Sequence, residues 1–312
     1  MSAATPSFQH TTVLLHEAVA ALSPEAAQAG AVFADLTFGR GGHSRLLLEQ
    51  LPAHAKLVAF DRDLTAVAAA HADPILMNDP RFTMVHAAFD TLPEWCTEHG
   101  VKLSGVLADL GVSSPQLDEA ARGFSFRFDA PLDMRMDTSC GETAAEFVNT
   151  ATEAELRRVI HEYGEERFAA RIATSIVTGR VQQPIATTGQ LAEIVSRAVH
   201  TREPGKDPAT RTFQAIRIHI NAELAQLQAT LDSLASVCHT GARLAVISFH
   251  SLEDRITKLA LRAPPVDVAL RHLPIAHVAH PWKELKKVKA SAAECKANPR
   301  ARSAMMRVAV KI

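Results

Sequence analysis

The chain has 312 residues, 47% hydrophobic and 21% charged, so it is longer than one core sustains and two domains are expected. No apolar run approaches the roughly 18 residues of a membrane span, and the first residues lack the charged and apolar regions of a secretory signal, so a cytoplasmic protein is expected. The formal net charge of -1 does not by itself announce a nucleic-acid binder.

In chain order, short apolar runs at 31–38, 57–60, 83–86 and 104–108 are separated by helical stretches such as 44–50 and 64–72. That alternation implies βαβ units and a mainly parallel sheet. From about residue 143 helix follows helix, with Thr152 and Glu155 spaced as a capping box and Gly164 as a stop. Leu191, Ile194, Val195 and Ala198 keep helical spacing. After Pro208 one longer helix is expected, its buried stripe made of Phe213, Ile216, Ile220, Leu224, Leu227, Leu231 and Leu234. Strand character returns at 242–249 and 303–310. The expected fold is therefore α/β and Rossmann-like, assembled from 1–117 and 213–312, with an all-helical domain inserted at 118–212.

Chemistry gathers where the strands end. Asp35-Leu-Thr-Phe-Gly39-Arg-Gly41-Gly42-His43-Ser44 joins the first strand to a helix, with glycines where backbone turns tightly and approaches a ligand. Nucleotide, dinucleotide and S-adenosylmethionine sites share such a turn, and the strict G-x-G-x-x-G spacing of a dinucleotide site is absent. Asp61 closes the next strand, where a carboxylate accepts hydrogen bonds from ribose hydroxyls or caps the helix before Leu64. Phe89 follows the third strand, where an aromatic ring can stack on adenine. Asp109 ends the fourth and opens a long polar loop, the place where an open α/β sheet holds its ligand. Within it Ser113, Ser114 and Gln116 either hold the loop or contact cofactor and base. The cysteines, Cys96, Cys140, Cys238 and Cys295, are scattered without a C-x-x-C pair, which speaks against a zinc site and a disulfide framework. None lies near Asp109 in sequence, which argues against a thiolate-dependent attack on C5 of cytosine.

The strings DLGVSSPQLD, RGFSF and PLDMRMD, with SFHSLEDR, DPATRTFQAIR and NPRARS further on, resemble the bacterial RsmH (MraW) family. Its members are S-adenosylmethionine-dependent methyltransferases that modify N4 of a cytidine in the decoding centre (P site) of 16S ribosomal RNA. The resemblance runs from His10-Thr-Thr-Val-Leu-Leu-His-Glu17 to Arg307. It implies a methyltransferase sheet, S-adenosylmethionine as cofactor, no metal, and 16S rRNA within the assembled small subunit as partner. Gly41, Gly42, His43, Asp61, Phe89, Asp109 and Gln116 fall on the family's cofactor-binding positions. Asp109 is also the candidate catalytic residue, accepting the protons of the target amine or orienting the methionine end of the cofactor. Arg211, Arg217, His250, Arg300 and Arg302 are candidates for RNA contact, and the stretch 271–312, with ten basic residues against two acidic, suits phosphate. The chain departs from the family pattern at Ala130, at Asp207 and at Thr240-Gly-Ala242.

Three other readings use the same residues: a methyltransferase of another RNA or DNA base, a nicotinamide-dependent oxidoreductase with a divergent phosphate loop, and a non-catalytic ribosome assembly factor. Identification of the methylated nucleoside, calorimetry with S-adenosylmethionine and NAD, and small-subunit binding without methyl transfer discriminate among them.

Overall fold

A computed structural model describes residues 12–199, 207–262 and 280–312; Arg271 of the basic stretch and His10 of the first family string lie outside these. The chain divides into two compact units, Met1–Gly111 with Gln226–Ile312, and Val112–Ala225. Its first leg runs α1 (Leu15–Leu22), β1 (Val32–Asp35), α2 (Gly42–Gln50), β2 (Lys56–Asp61), α3 (Leu64–His71), α4 (Pro74–Met77), β3 (Phe82–His86), α5 (Leu92–Glu98) and β4 (Leu103–Asp109). The middle is helical: α6 (Ser114–Asp118), α7 (Ala144–Thr150), α8 (Glu153–Gly164), α9 (Ala169–Gln182), α10 (Thr188–Ala198) and α11 (Thr210–Ile220). The last leg is α12 (Glu223–Val237), β5 (Cys238–Ser248), α13 (Ser251–Ala260), β6 (Trp282–Lys289), α14 (Ala292–Ala297) and β7 (Met305–Lys311).

The first unit is built on a seven-stranded sheet in the order β3-β2-β1-β4-β5-β7-β6. Strands β1 to β5 pair in parallel, and β7 runs antiparallel between β5 and β6. Strands covered on both faces read as near-continuous apolar runs, as VFAD and LSGVLAD do. Alternate side chains feed two cores. Phe33, Leu57, Leu107, Ile247 and Val308 face α1 and α2 through Val19, Leu22, Leu47 and Leu48. On the other side Ala34, Val58, Phe60, Val106 and Val246 meet Leu92 and Cys96 of α5 and Leu227, Leu231 and Leu234 of α12.

The second unit packs α7 to α11 around Phe147, Val159, Ile172, Ile176, Leu191 and Ile216. Its helices begin where their caps predict: Thr152 Oγ1 accepts the Glu155 amide at 3.2 Å, and Thr143 with Glu146 and Thr187 with Gln190 form capping boxes. Gly164 ends α8 as expected, but the left-handed residue after it is Glu165, at φ 48°. The glycine serves a different end: a Cβ there would stand 2.7 Å from the Arg211 carbonyl oxygen, so its absence lets α8 and α11 approach closely.

Two expectations are corrected. The single helix after Pro208 is two, α11 and α12, because Ala222 turns to φ 50° and Asn221 caps the break, donating to the Met134 and Arg217 carbonyls at 2.8 and 2.9 Å. An unbroken apolar stripe is not an unbroken helix when each half packs in a different core. The units consequently divide after Gly111 and after Ala225 rather than at 117 and 212, since Phe213 and Ile216 of α11 belong to the helical core. The basic stretch also contains an edge strand, β6, beyond the strand expected at 303–310.

Candidate active site

The order β3-β2-β1-β4-β5 places a topological switch between β1 and β4, where the chain leaves one strand for one side and the other for the opposite side. Ligands of open α/β sheets bind in the crevice outside the carboxyl ends at such a point. Three carboxylates stand there, Asp35 ending β1, Asp61 ending β2 and Asp109 ending β4. Since Asp35 pairs in register with Ala59 and Leu107, the two flanking strands run two residues further and wall a gap above β1.

The turn after β1 forms the floor of this gap. Asp35 accepts from Ser44 Oγ at 2.6 Å and from the Thr37 amide at 3.2 Å, and Thr37 Oγ1 accepts from the Asp109 amide at 2.6 Å. Gly41 has φ 72°, and a Cβ on it would lie 2.6 Å from the Phe38 ring; one on Gly42 would lie 2.0 Å from Thr12 Oγ1. Both glycines are thus demanded by the close approach of Phe38 and Thr12. His43, in the first turn of α2 and 4% exposed, sets Nδ1 3.7 Å from Asp109 Oδ2.

Asp61 is not the cap of α3. That duty falls to Asp63, whose Oδ1 accepts from the Thr65 amide at 2.9 Å. Asp61 accepts instead from the Gly39 and Asp63 amides, each at 2.8 Å. With about four lone-pair sites on a carboxylate, acceptor capacity remains for ribose hydroxyls. Phe89 begins a single 3-10 turn after β3 and packs, partly buried, against the second core of the sheet.

Asp109 is the least comfortable group. Its Oδ1 is buried with no hydrogen-bond partner among the described residues, although the side chain as a whole is 22% exposed. Burial, reinforced by the charges of Asp35 and Glu253, pushes its carboxyl well above the ordinary carboxylate range. Burial likewise raises Asp35 and Asp61, each to about 6.

Asp35 therefore holds its proton more tightly in the folded chain than in the unfolded one. Between pH 4 and 6 the native state binds more protons, so this contribution to stability is full below about pH 4 and is lost as pH rises through the raised value, by about 3 kcal/mol for a shift of roughly two units. Asp35→Asn should remove that part of the slope in urea titrations at acid and neutral pH. A variant whose stability varies with pH as the parent's does would show that Asp35 titrates normally.

Two residues of this site are absent from the sequence-level set. Asp35 was only the start of the glycine-rich string, and Glu253 was only part of SFHSLEDR. Glu253 is 2% exposed and accepts from the Phe249 and His250 amides at 2.7 and 3.3 Å, while His250 Nε2 lies 3.1 Å from its Oε1. An acidic residue three positions after a strand-end histidine is the signal that marks it.

Gly41, Gly42, His43, Asp61, Phe89, Asp109 and His250 thus share the carboxyl end of the sheet. Arg300 and Arg302 sit at the same end, in the 3-10 turn Pro299–Ser303 before β7, whose Met305 pairs with Ser248. Gln116, Arg211 and Arg217 belong to the helical unit. Gln116 closes a capping box on α6, its Oε1 accepting the Ser113 amide at 2.8 Å. Arg211 lies 3.8 Å from buried Glu166. Arg217 grips both oxygens of Glu223 at 2.8 and 2.9 Å, bracing the junction of α11 and α12. In RGFSF and PLDMRMD, Arg122 donates to the carbonyls of Arg135 and Met136, and Leu132, Met134 and Met136 are helical core.

Known proteins resemble this chain throughout its length. A ribosomal RNA small subunit methyltransferase H from Herminiimonas arsenicoxydans is 55% identical over 317 aligned positions, covering 99% of this chain and 97% of its own. Another of the same description, from Chromobacterium violaceum, is 55% identical over 311, covering 98% and 96%. A solved rRNA methylase from Streptococcus thermophilus aligns over 96% of this chain and 98% of its own at 9% identity, with a TM-score of 0.45. The profile of the MraW methylase family matches residues 7–312. With that match and relatives 55% identical over nearly the whole length, the chain belongs to the MraW methylase family, whose members are S-adenosylmethionine-dependent methyltransferases.

Proposed function

We propose that the protein transfers a methyl group from S-adenosylmethionine to the exocyclic N4 of a cytidine in the decoding centre (P site) of 16S ribosomal RNA, in the cytoplasm. The observation that carries this reading is the buried, unpartnered Oδ1 of Asp109 at the switch point of the sheet. A proton acceptor in that position suits an amine nucleophile, whose lone pair is delocalised into its ring until a proton is drawn away.

The residues suit the cofactor. S-adenosylmethionine carries cationic sulfonium and ammonium groups, and a crevice lined by Asp35, Asp61 and Asp109, each raised by burial, gains by meeting a cation. The turn at Gly41 and Gly42 would receive the methionine end, Asp61 the ribose and Phe89 the adenine, beside His43; the family resemblance adds Gln116 to this set. When bound, the cofactor supplies an electrophilic methyl group. The chain then needs only to align and polarise the acceptor, because methyl transfer from a sulfonium is an in-line displacement without a covalent enzyme intermediate.

The cysteines favour an amine over C5. Cys238 opens β5 at the amino end of the sheet, and burial pushes its thiol up to about 12 and that of Cys96 to about 11. Cys140 lies in the helical unit. Neither of the two buried thiols is thus poised as a thiolate.

The test is labelled methyl transfer into naked 16S rRNA and into small subunits lacking the modification, followed by digestion to nucleosides. N4-methylcytidine is expected, with the assembled subunit the better acceptor. Label on adenosine or on C5 of cytidine overturns the choice of base, and calorimetric binding of NAD alone overturns the choice of cofactor.

A further inference from the structure

A second feature of the sheet unit lies outside the crevice. Between α13 and β6 is a cleft of about 370 Å³, lined by Lys258, Arg262, Glu284, Lys286, Lys287 and Arg307 among others. Arg307, 3% exposed, donates to both oxygens of Asp254 at 2.7 and 2.9 Å and to Glu284 Oε1 at 2.5 Å. Arg262 Nε takes the other Glu284 oxygen at 3.1 Å. Both acids are held by arginines, and the charges of Lys258 and Lys287 also reach Asp254, so five basic side chains line the cleft against these two acids.

Lys287 stands directly opposite Arg307 in the antiparallel ladder, and the repulsion between these like charges is offset by Asp254, which holds Arg307 and also feels the charge of Lys287. The register shifts between Glu284 and Lys286, and a bulge of this kind re-aims side chains at a strand edge. Lysines on an edge strand also keep it from pairing with other chains. That accounts for part of β6, but not for Lys258 and Arg262, which stand on a helix.

Both elements that line the cleft reach the carboxyl end of the sheet. Helix α13 begins at the carboxyl end of the sheet, where Glu253 in its first turn acts on Asp109. Lys258 follows five residues later, about 7.5 Å along the helix axis. On β6 the lysines approach the same end, since Lys289 pairs with Met305.

We propose that this cleft binds a backbone phosphate of the RNA substrate close to the methylated nucleotide, with Lys258 and Lys287 as its principal contacts; this rests on the reading of the protein as an RNA methyltransferase. Phosphate contacts set the register of a nucleic acid without reading its bases. The cleft would thus hold the strand while the crevice selects the base.

The double variant Lys258→Gln with Lys287→Gln tests it, using fluorescence anisotropy of a labelled decoding-region fragment of 16S rRNA over a series of salt concentrations. Affinity should fall roughly tenfold, and the slope of log affinity against log salt should flatten by about 2, one for each lost phosphate contact. In methylation assays KM for RNA should rise with kcat and cofactor affinity retained. A control, Lys56→Gln with Lys102→Gln, removes the same charge at the amino ends of β2 and β4 and should change little. Equal loss in both pairs, an unchanged slope in the first, or binding to phosphatidylserine vesicles instead of RNA overturns the proposal. The binding measurement is read whether or not methyl is transferred. Failure of methyl transfer by the parent protein counts against the proposed function separately.

Discussion

Asp109→Asn should lower the rate of methyl transfer by about 100- to 10,000-fold at saturating cofactor and RNA, the range associated with loss of a positioned proton acceptor. The substitution keeps shape and removes basicity. Because burial and the neighbouring Asp35 and Glu253 oppose ionisation of Asp109 in the folded chain, the amide should fold at least as well as the parent near neutral pH. Lost activity in a variant with unaltered thermal stability is then a statement about chemistry. Single-turnover kinetics decide the role. A variant with the parent's transfer rate and only weakened cofactor binding would confine Asp109 to holding the methionine end.

Asp61→Ala is expected to weaken S-adenosylmethionine binding tenfold or more. Hydrogen bonds to a charged acceptor contribute roughly 1.5 to 3 kcal/mol each, and 1.4 kcal/mol is one decade of affinity. The same carboxylate braces the turn through the Gly39 and Asp63 amides, so alanine removes a ligand contact and a support together. Asp61→Asn separates them, since its oxygen still accepts one bond while the charge is gone; an intermediate loss is expected. Calorimetry with the cofactor and with S-adenosylhomocysteine reads both variants. Affinity equal to the parent's in both would leave Asp61 as a brace for the turn alone.

Much of this arrangement was legible in the sequence because its signals are local. Asp61 and Asp109 end apolar runs and were placed at strand ends on that basis, and β2 and β4 put them there. Thr152, Glu155 and Gly164 bounded a helix that is observed between those limits, since capping is decided within one turn of backbone. The errors share a cause. The stripe from Phe213 to Leu234 is periodic enough for one helix, yet its halves pack in separate cores, and only long-range contact of Asn221 with Met134 fixes the break. Strand β6 escaped notice because seven of its eight residues are only partly buried or exposed, so hydrophobic alternation, the usual mark of a strand, is missing at a sheet edge. Asp35 escaped because a carboxylate in a glycine-rich turn looks like a turn residue until Ser44 and Thr37 are seen to close on it.

By itself the sequence determined the class of fold, the helical interruption and the residues of the glycine-rich turn, because periodicity, caps and strand-end carboxylates are properties of neighbouring residues. Only the tertiary structure decided that Asp35, Asp109 and Glu253 bear on one another and that Arg217 is bound to Glu223 while Lys258 and Lys287 stand beside the ion pair of Asp254 and Arg307. Charge and burial act through space: what a carboxylate or a lysine does depends on which groups the crossing strands and helices bring within a few ångströms of it, and no spacing along the chain records that distance.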